Sequence, residues 1–202
     1  MGIFNFKKTD SPQEIEEKRF DTLKYDGIRA LHIGHLDYSL QCLEEANQIR
    51  PDAEVLLNLA LVKLHQEETN PIELVALLTQ AISLNDSLTE AYAIRAQILW
   101  TMGQDAEAET DMTIYFEHVP DNPTMLLLKA KVLAKKENTD EAIAICRDLL
   151  EKDPYMEDAY LQLGRIYHSL GREEEAIAVY KTAKEMNPFL DETLSGEFSN
   201  LE

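Results

Sequence analysis

The pattern of small, large apolar and polar positions is clearest between Glu157 and Pro188. There Tyr160, Leu163, Gly164 and Tyr167 are followed by Ala176, Tyr180, Ala183 and Pro188. Gly164, Ala176 and Ala183 are small where two antiparallel helices must approach closely, while the four large side chains fill the space between and beside them. The spacing predicts one helix ended by Gly171 and a second stopped by Pro188.

The same pattern recurs upstream in steps of about 34 residues. The close-approach position reads Gly27, Ala60, Ala96, Ala130 and Gly164, all small. The large residue of the second helix reads Leu43, Leu78, Met112, Cys146 and Tyr180, and each repeat closes at Pro51, Asp86, Pro120, Pro154 or Pro188. Five repeats follow, at 20–52, 53–88, 89–122, 123–156 and 157–190. No such unit can bury its apolar face alone, so stacking against its neighbours must supply the core. Upstream, Ser11-Pro12-Gln13-Glu14 has the residues of an N-cap, a first-turn proline and a capping box, opening a helix to about Ile33; a second runs from Asp37 to Ile49. Residues 1–19 are thus an N-terminal segment and helix extension. In the acidic tail, 191–202, Leu194, Phe198 and Leu201 continue a helical spacing from Leu190, which predicts a short capping helix.

The series Tyr160-x-x-Leu163-Gly164-x-x-Tyr167, then Ala176-x-x-x-Tyr180, Ala183 and Pro188, resembles a tetratricopeptide repeat, with Tyr for Trp at the first position and for Phe at the fourth. The resemblance implies an all-α fold, a right-handed α-α superhelix (solenoid) of about five helix-turn-helix units that serves as a binding scaffold. Some places depart from the family. Gln66 to Asn70 lengthen the turn of repeat two and Leu74 replaces the usual Ala, which predicts a wider helix crossing there. One place before the small residue stand Asp26, Leu59, Arg95, Lys129 and Leu163. The charged ones must snorkel or pair, because burial alone would cost several kcal/mol.

Composition narrows the function. The chain has 202 residues, 45% hydrophobic and 28% charged, with a formal net charge of −19. Nucleic acid and anionic membrane would be repelled, so neither is an expected partner. No apolar run approaches the roughly 20 residues of a membrane span, and Met1 to Asp10 lack the features of a secretory signal, so a cytoplasmic address is expected. Cys42 and Cys146 fall on apolar helical stripes and read as reduced core thiols. His32, His35, His65, His118 and His168 have no metal-site spacing, and there is no phosphate loop or nucleophile elbow. No enzyme, metal or cofactor is expected.

In tetratricopeptide proteins the first helices line a groove. Counting the small residue as place eight, the inward fifth places include Lys24, Leu57 and Leu127, and the ninth Ile28, Leu61, Gln97, Lys131 and Arg165. The twelfth include Leu64, Trp100 and His168, and the thirteenth His32, His65 and Lys135. Asn58 and Ile94 hold sixth places. The first half of this set is apolar with the only Trp; the second carries Lys131, Lys135 and Arg165. The resemblance therefore implies a protein or peptide partner with apolar anchors and acidic residues. The carboxylate clamp of chaperone-binding relatives is not expected: its five places read Lys24, Ile28, Asn58, Glu90 and Ile94, only two of which match. The alternatives are a structural or self-associating protein acting through its convex face, or a small secretion or assembly chaperone.

Overall fold

The computed structural model of the chain describes residues 10–65 and 70–186. The turn insertion at 66–69, the stop at Pro188 and the capping tail lie outside the described residues. The fold is all-α, an α-solenoid of paired helices: Pro12–His32 (α1), Leu36–Ile49 (α2), Ala53–Leu64 (α3), Pro71–Leu84 (α4), Thr89–Thr101 (α5), Asp105–His118 (α6), Pro123–Lys135 (α7), Thr139–Lys152 (α8), Glu157–Ser169 (α9) and Glu173–Met186 (α10). No described helix is long and apolar enough to cross a membrane.

Local chemistry sets the helix ends. Ser11 caps α1 in a complete capping box with Glu14; Asp52, Asn70 and Asn122 accept from first-turn N–H groups of α3, α4 and α7. Such caps satisfy donors that the helix itself cannot. After α1, α5 and α9 the chain reverses through Gly34, Gly103 and Gly171, with φ of 78°, 75° and 69°. The equivalent residue after α7 is Glu137, at φ 64°. A side chain there is strained where the three glycines are not.

The chain forms two compact units, the first ending at His118 and the second starting at Val119. In the first, α1 to α6 form three hairpins, each helix packed on the next in sequence. Phe20, Leu43, Val55 and Val62 are fully buried in one core cluster; Leu57, Ala60, Leu74, Leu78, Ala91 and Ile98 form another. Each such large side chain contributes roughly 1.5–3 kcal/mol by leaving water. Gly27 shows why a small residue is needed: a Cβ there would lie 2.7 Å from Leu43 Cγ. The contact is fixed by Ser39, buried, whose hydroxyl donates to the Gly27 carbonyl at 2.7 Å.

The charged residues beside the small positions all pair. Tyr38 donates to Asp26 at 3.4 Å. Arg95 donates through Nε and Nη2 to the two oxygens of Asp111, each at 2.7 Å, and through Nη1 to Thr79 at 2.9 Å. That fork joins α5 to α6 and α4 while satisfying a carboxylate only 2% exposed. The Asp111 hydrogen bonds hold the Arg95 pKa above arginine's ordinary value against the opposing effect of burial.

In the second unit, α7–α8 and α9–α10 are hairpins, with α9 also packed on α8 and α7. Leu127, Ile143, Cys146, Leu149, Leu163, Ile166, Tyr167 and Tyr180 form its core. A Cβ on Gly164 would collide with the Tyr180 ring. Lys129 pairs with Glu141 at 3.2 Å. Arg147 donates to the Tyr167 hydroxyl at 2.7 Å, and Arg172 lies 4.5 Å over the Tyr167 ring. Cys42 and Cys146 are both buried free thiols. Burial pushes the Cys146 thiol up to about 12.

Candidate functional site

In the first unit the inner places fall into three kinds. Leu57 and Asn58 are 3% and 7% exposed, so they shape the surface from beneath. Asn58 donates to the Glu54 carbonyl at 2.8 Å, which holds it against its own helix. Ile28, Leu61 and Ile94 are half-buried, packed against the core with part of each side chain in solvent. Leu64 is 46% exposed, Gln97 is exposed, and Trp100, in the last turn of α5, is half-buried.

The structure brings one set of inner places together in space. Lys24, Ile28 and His32 of α1 line an open depression of about 640 Å³, joined by Asp21, Tyr25 and Arg29 of the same helix and Glu54 of α3. Lys24 bridges the two helices, 2.9 Å from Asp52 and 2.7 Å from Glu54. Partial burial disfavours its charge, but the hydrogen bonds to Glu54 and Asp52 outweigh that and raise its pKa. Asp52 shows the converse balance: burial works against its charge, while Lys24 and the Val55 and Glu54 N–H groups hold its carboxyl below the ordinary value.

Tyr25 and Arg29 are absent from the inner places assigned by sequence. Tyr25 stands at place six, where Asn58 is buried one repeat later, yet it is 64% exposed. In an interior repeat the sixth place lies against the preceding hairpin; α1 is the first described helix, so that flank meets no described hairpin. The signal was available in sequence as position within the array rather than as residue type.

In the second unit Leu127 is 4% exposed and belongs to the core. Lys131 is half-buried; Lys135, Arg165 and His168 are exposed. Lys131 and Arg165 occupy the ninth places of α7 and α9, helices that pack on one another. His168 lies 3.0 Å from Glu173, tying the end of α9 to the start of α10. Among the described residues no group of three or more His, Cys, Asp or Glu is placed to hold a metal ion.

Comparison with known proteins agrees with this architecture. Sequence profiles described as tetratricopeptide repeat match residues 95–157 and 133–192. Similar solved structures include YrrB, described as a TPR protein with an unusual peptide-binding site, at TM-score 0.71 and 18% identity, over 87% of this chain and 91% of that one. A MamA crystal structure aligns at TM-score 0.70 and 18% identity over 90% of this chain and 96% of that one. Another, of MamA MSR-1, aligns at 0.69 and 20% over 84% and 97%. At these identities the likeness is one of fold. Taken with the repeated small, large and helix-ending positions, the profile matches establish that this chain belongs to the tetratricopeptide repeat family.

Proposed function

We propose that this protein-interaction scaffold holds a segment of a partner protein on the inner places of its first helices. The observation that carries the reading is Trp100, half-buried rather than enclosed, on the same side of the repeat register as half-buried Ile28, Leu61 and Ile94 and exposed Leu64. Part-exposed apolar side chains with polar neighbours are a property of interaction surfaces. In the second unit the equivalent places carry Lys131, Lys135 and Arg165 in a chain of net charge −19. Apolar anchors of the partner go to the first set and acidic residues to the second. The likeness to YrrB, described as having a peptide-binding site, supports the same class of ligand.

The test is affinity capture from the native cell. Trp100→Ala, and separately Lys131→Glu with Arg165→Glu, should each lose the partner while circular dichroism shows the helices intact. Unchanged capture by both variants would displace the reading.

A specific feature favours self-association as the second reading. Glu73 is the only charged residue of α4, and it pairs with Lys63 at 3.0 Å; Ile72 and Leu84 are 66% and 51% exposed. Two strongly acidic chains could meet there without like-charge contact. Ile72→Glu would convert a concentration-dependent dimer to monomer in sedimentation velocity, whereas an unchanged monomer at all concentrations removes this reading.

A further inference from the structure

The depression on α1 carries an order of charge. Asp21, Tyr25 and Arg29 repeat at four-residue spacing along one stripe, beside Lys24, Ile28 and His32 on the next. At a rise of 1.5 Å per residue, Asp21 and Arg29 stand about 12 Å apart along the helix axis. The Asp21 end is acidic despite Lys24. That ammonium is engaged by Asp52 at 2.9 Å and Glu54 at 2.7 Å, and Arg50 also pairs with Asp52 at 3.6 Å, so with Asp21 three carboxylates face two cations and the end keeps a net negative charge. The other end is cationic. Arg29 is exposed, and its guanidinium makes no hydrogen bond or ion pair with any described residue. Between the two ends lie the Tyr25 ring, 64% exposed, and half-buried Ile28.

We propose that this depression selects an extended peptide segment in which a cationic side chain and a carboxylate stand four residues apart, flanking an apolar residue. Four residues of extended chain span about 13 Å, which matches the separation of the two ends. The cation is drawn to Asp21 and Glu54, the apolar side chain lies on Tyr25 and Ile28, and the carboxylate takes the two-pronged Arg29 guanidinium. Arg29 also shields that carboxylate from the negative end of the α1 dipole. Either chain direction satisfies the order, since only the spacing and the opposite signs are read. A segment charged alike at both positions meets one matched and one repelling end, so the depression discriminates as well as attracts. This inference rests on the reading that inner places of the first helices hold a partner segment, and it adds the chemistry of that segment.

The test uses the full chain and a fluorescent peptide, capped at both termini, with arginine, leucine and glutamate at its second, fourth and sixth residues and alanine elsewhere. Anisotropy at low salt should show saturable binding, weakened at least about tenfold when glutamine replaces both charged residues, the scale of 1.4 kcal/mol. Arg29→Glu should lose this peptide and gain the version with arginine at both charged positions. Arg29→Gln, with no charge to offer, should cease to distinguish the glutamate peptide from one with glutamine there. Equal binding of the charged and glutamine peptides, or no change in preference with Arg29→Glu, overturns the proposal. Trp100 lies outside the depression. Should no such peptide bind while Trp100→Ala still abolishes partner capture, the charge-order inference falls and the inner-face reading stands.

Discussion

Removing one member of the Arg95–Asp111 pair should destabilise the first unit far more than removing both. The Arg95 side chain is 16% exposed and that of Asp111 only 3%. Breaking a pair at this depth costs about 3–5 kcal/mol, because the remaining charge has neither water nor a partner. The cost should be unequal. Arg95 without Asp111 keeps its bond to Thr79, and its guanidinium still lies 5.7 Å from the Tyr92 ring centroid. Asp111 without Arg95 loses both of its 2.7 Å bonds. Arg95→Met is therefore expected at the upper end of that range and Asp111→Leu at the lower. The double variant fills the space with apolar side chains and should lose about 1 kcal/mol or less. For a chain of this length 1 kcal/mol corresponds to roughly 2–4 °C in Tm, so the single variants should melt some 6–20 °C lower. Urea unfolding followed by circular dichroism gives the cycle. Because repeat arrays can open piecewise, hydrogen exchange should localise the loss to α4, α5 and α6. Additive single and double variants, or a single cost below about 1 kcal/mol, would refute the claim that this pair is a buried joint between helices.

Three further outcomes follow from the packing and the backbone. Gly164→Ala should destabilise by about 1–3 kcal/mol in urea unfolding, against the roughly 1 kcal/mol that helix propensity alone favours, because the new Cβ meets the Tyr180 ring. A stabilised variant would show that this contact yields freely. Glu137→Gly should raise Tm by about 1–4 °C, relieving the left-handed conformation at φ 64°; a fall would mean that the Glu137 side chain contributes more than its strain costs. At Asp52 the folded carboxyl sits below its ordinary 3.8, so its contribution is present above that pH and is lost as pH falls through the folded pKa. Asp52→Asn keeps an N-cap and removes the charge, so it should be less stable than the parent near neutrality and match it at the acid end. A gap persisting at low pH would contradict this assignment. Lys24, with a raised pKa, keeps its side of the pairing at low pH and loses it only as pH rises through that value.

Much of the fold was legible because packing leaves a simple trace. Place eight has room for no more than a methyl group, and at Gly27 and Gly164 not even for that, so Gly27, Ala60, Ala96, Ala130 and Gly164 mark every hairpin. Asp26, Arg95 and Lys129 also announced that they needed partners, but not which. Tyr38 and Glu141 lie in the first turn of their helices, whereas Asp111 lies deeper in α6, within the reach of a longer, forked side chain. The surface was harder to read. Register assigns Leu57 and Leu127 to inward places as it does Lys24, yet an apolar fifth-place residue is taken up by the contact between neighbouring helices while a charged one stays at its rim. The same register treats Tyr25 and Asn58 alike, yet their exposures are 64% and 7%, and Asn58 is held to its own helix by its bond to the Glu54 carbonyl.

The most direct measurement of the central claim is the dissociation constant of the captured partner, purified, for the parent, Trp100→Ala and Tyr155→Ala. Tyr155 is an 82% exposed aromatic residue outside the inner places and serves as the control. Loss of a Trp that anchors a partner commonly costs 2 kcal/mol or more, so Trp100→Ala should weaken binding about thirtyfold with Tyr155→Ala unchanged. Equal affinity of Trp100→Ala and the parent, with the helices intact, would contradict the account.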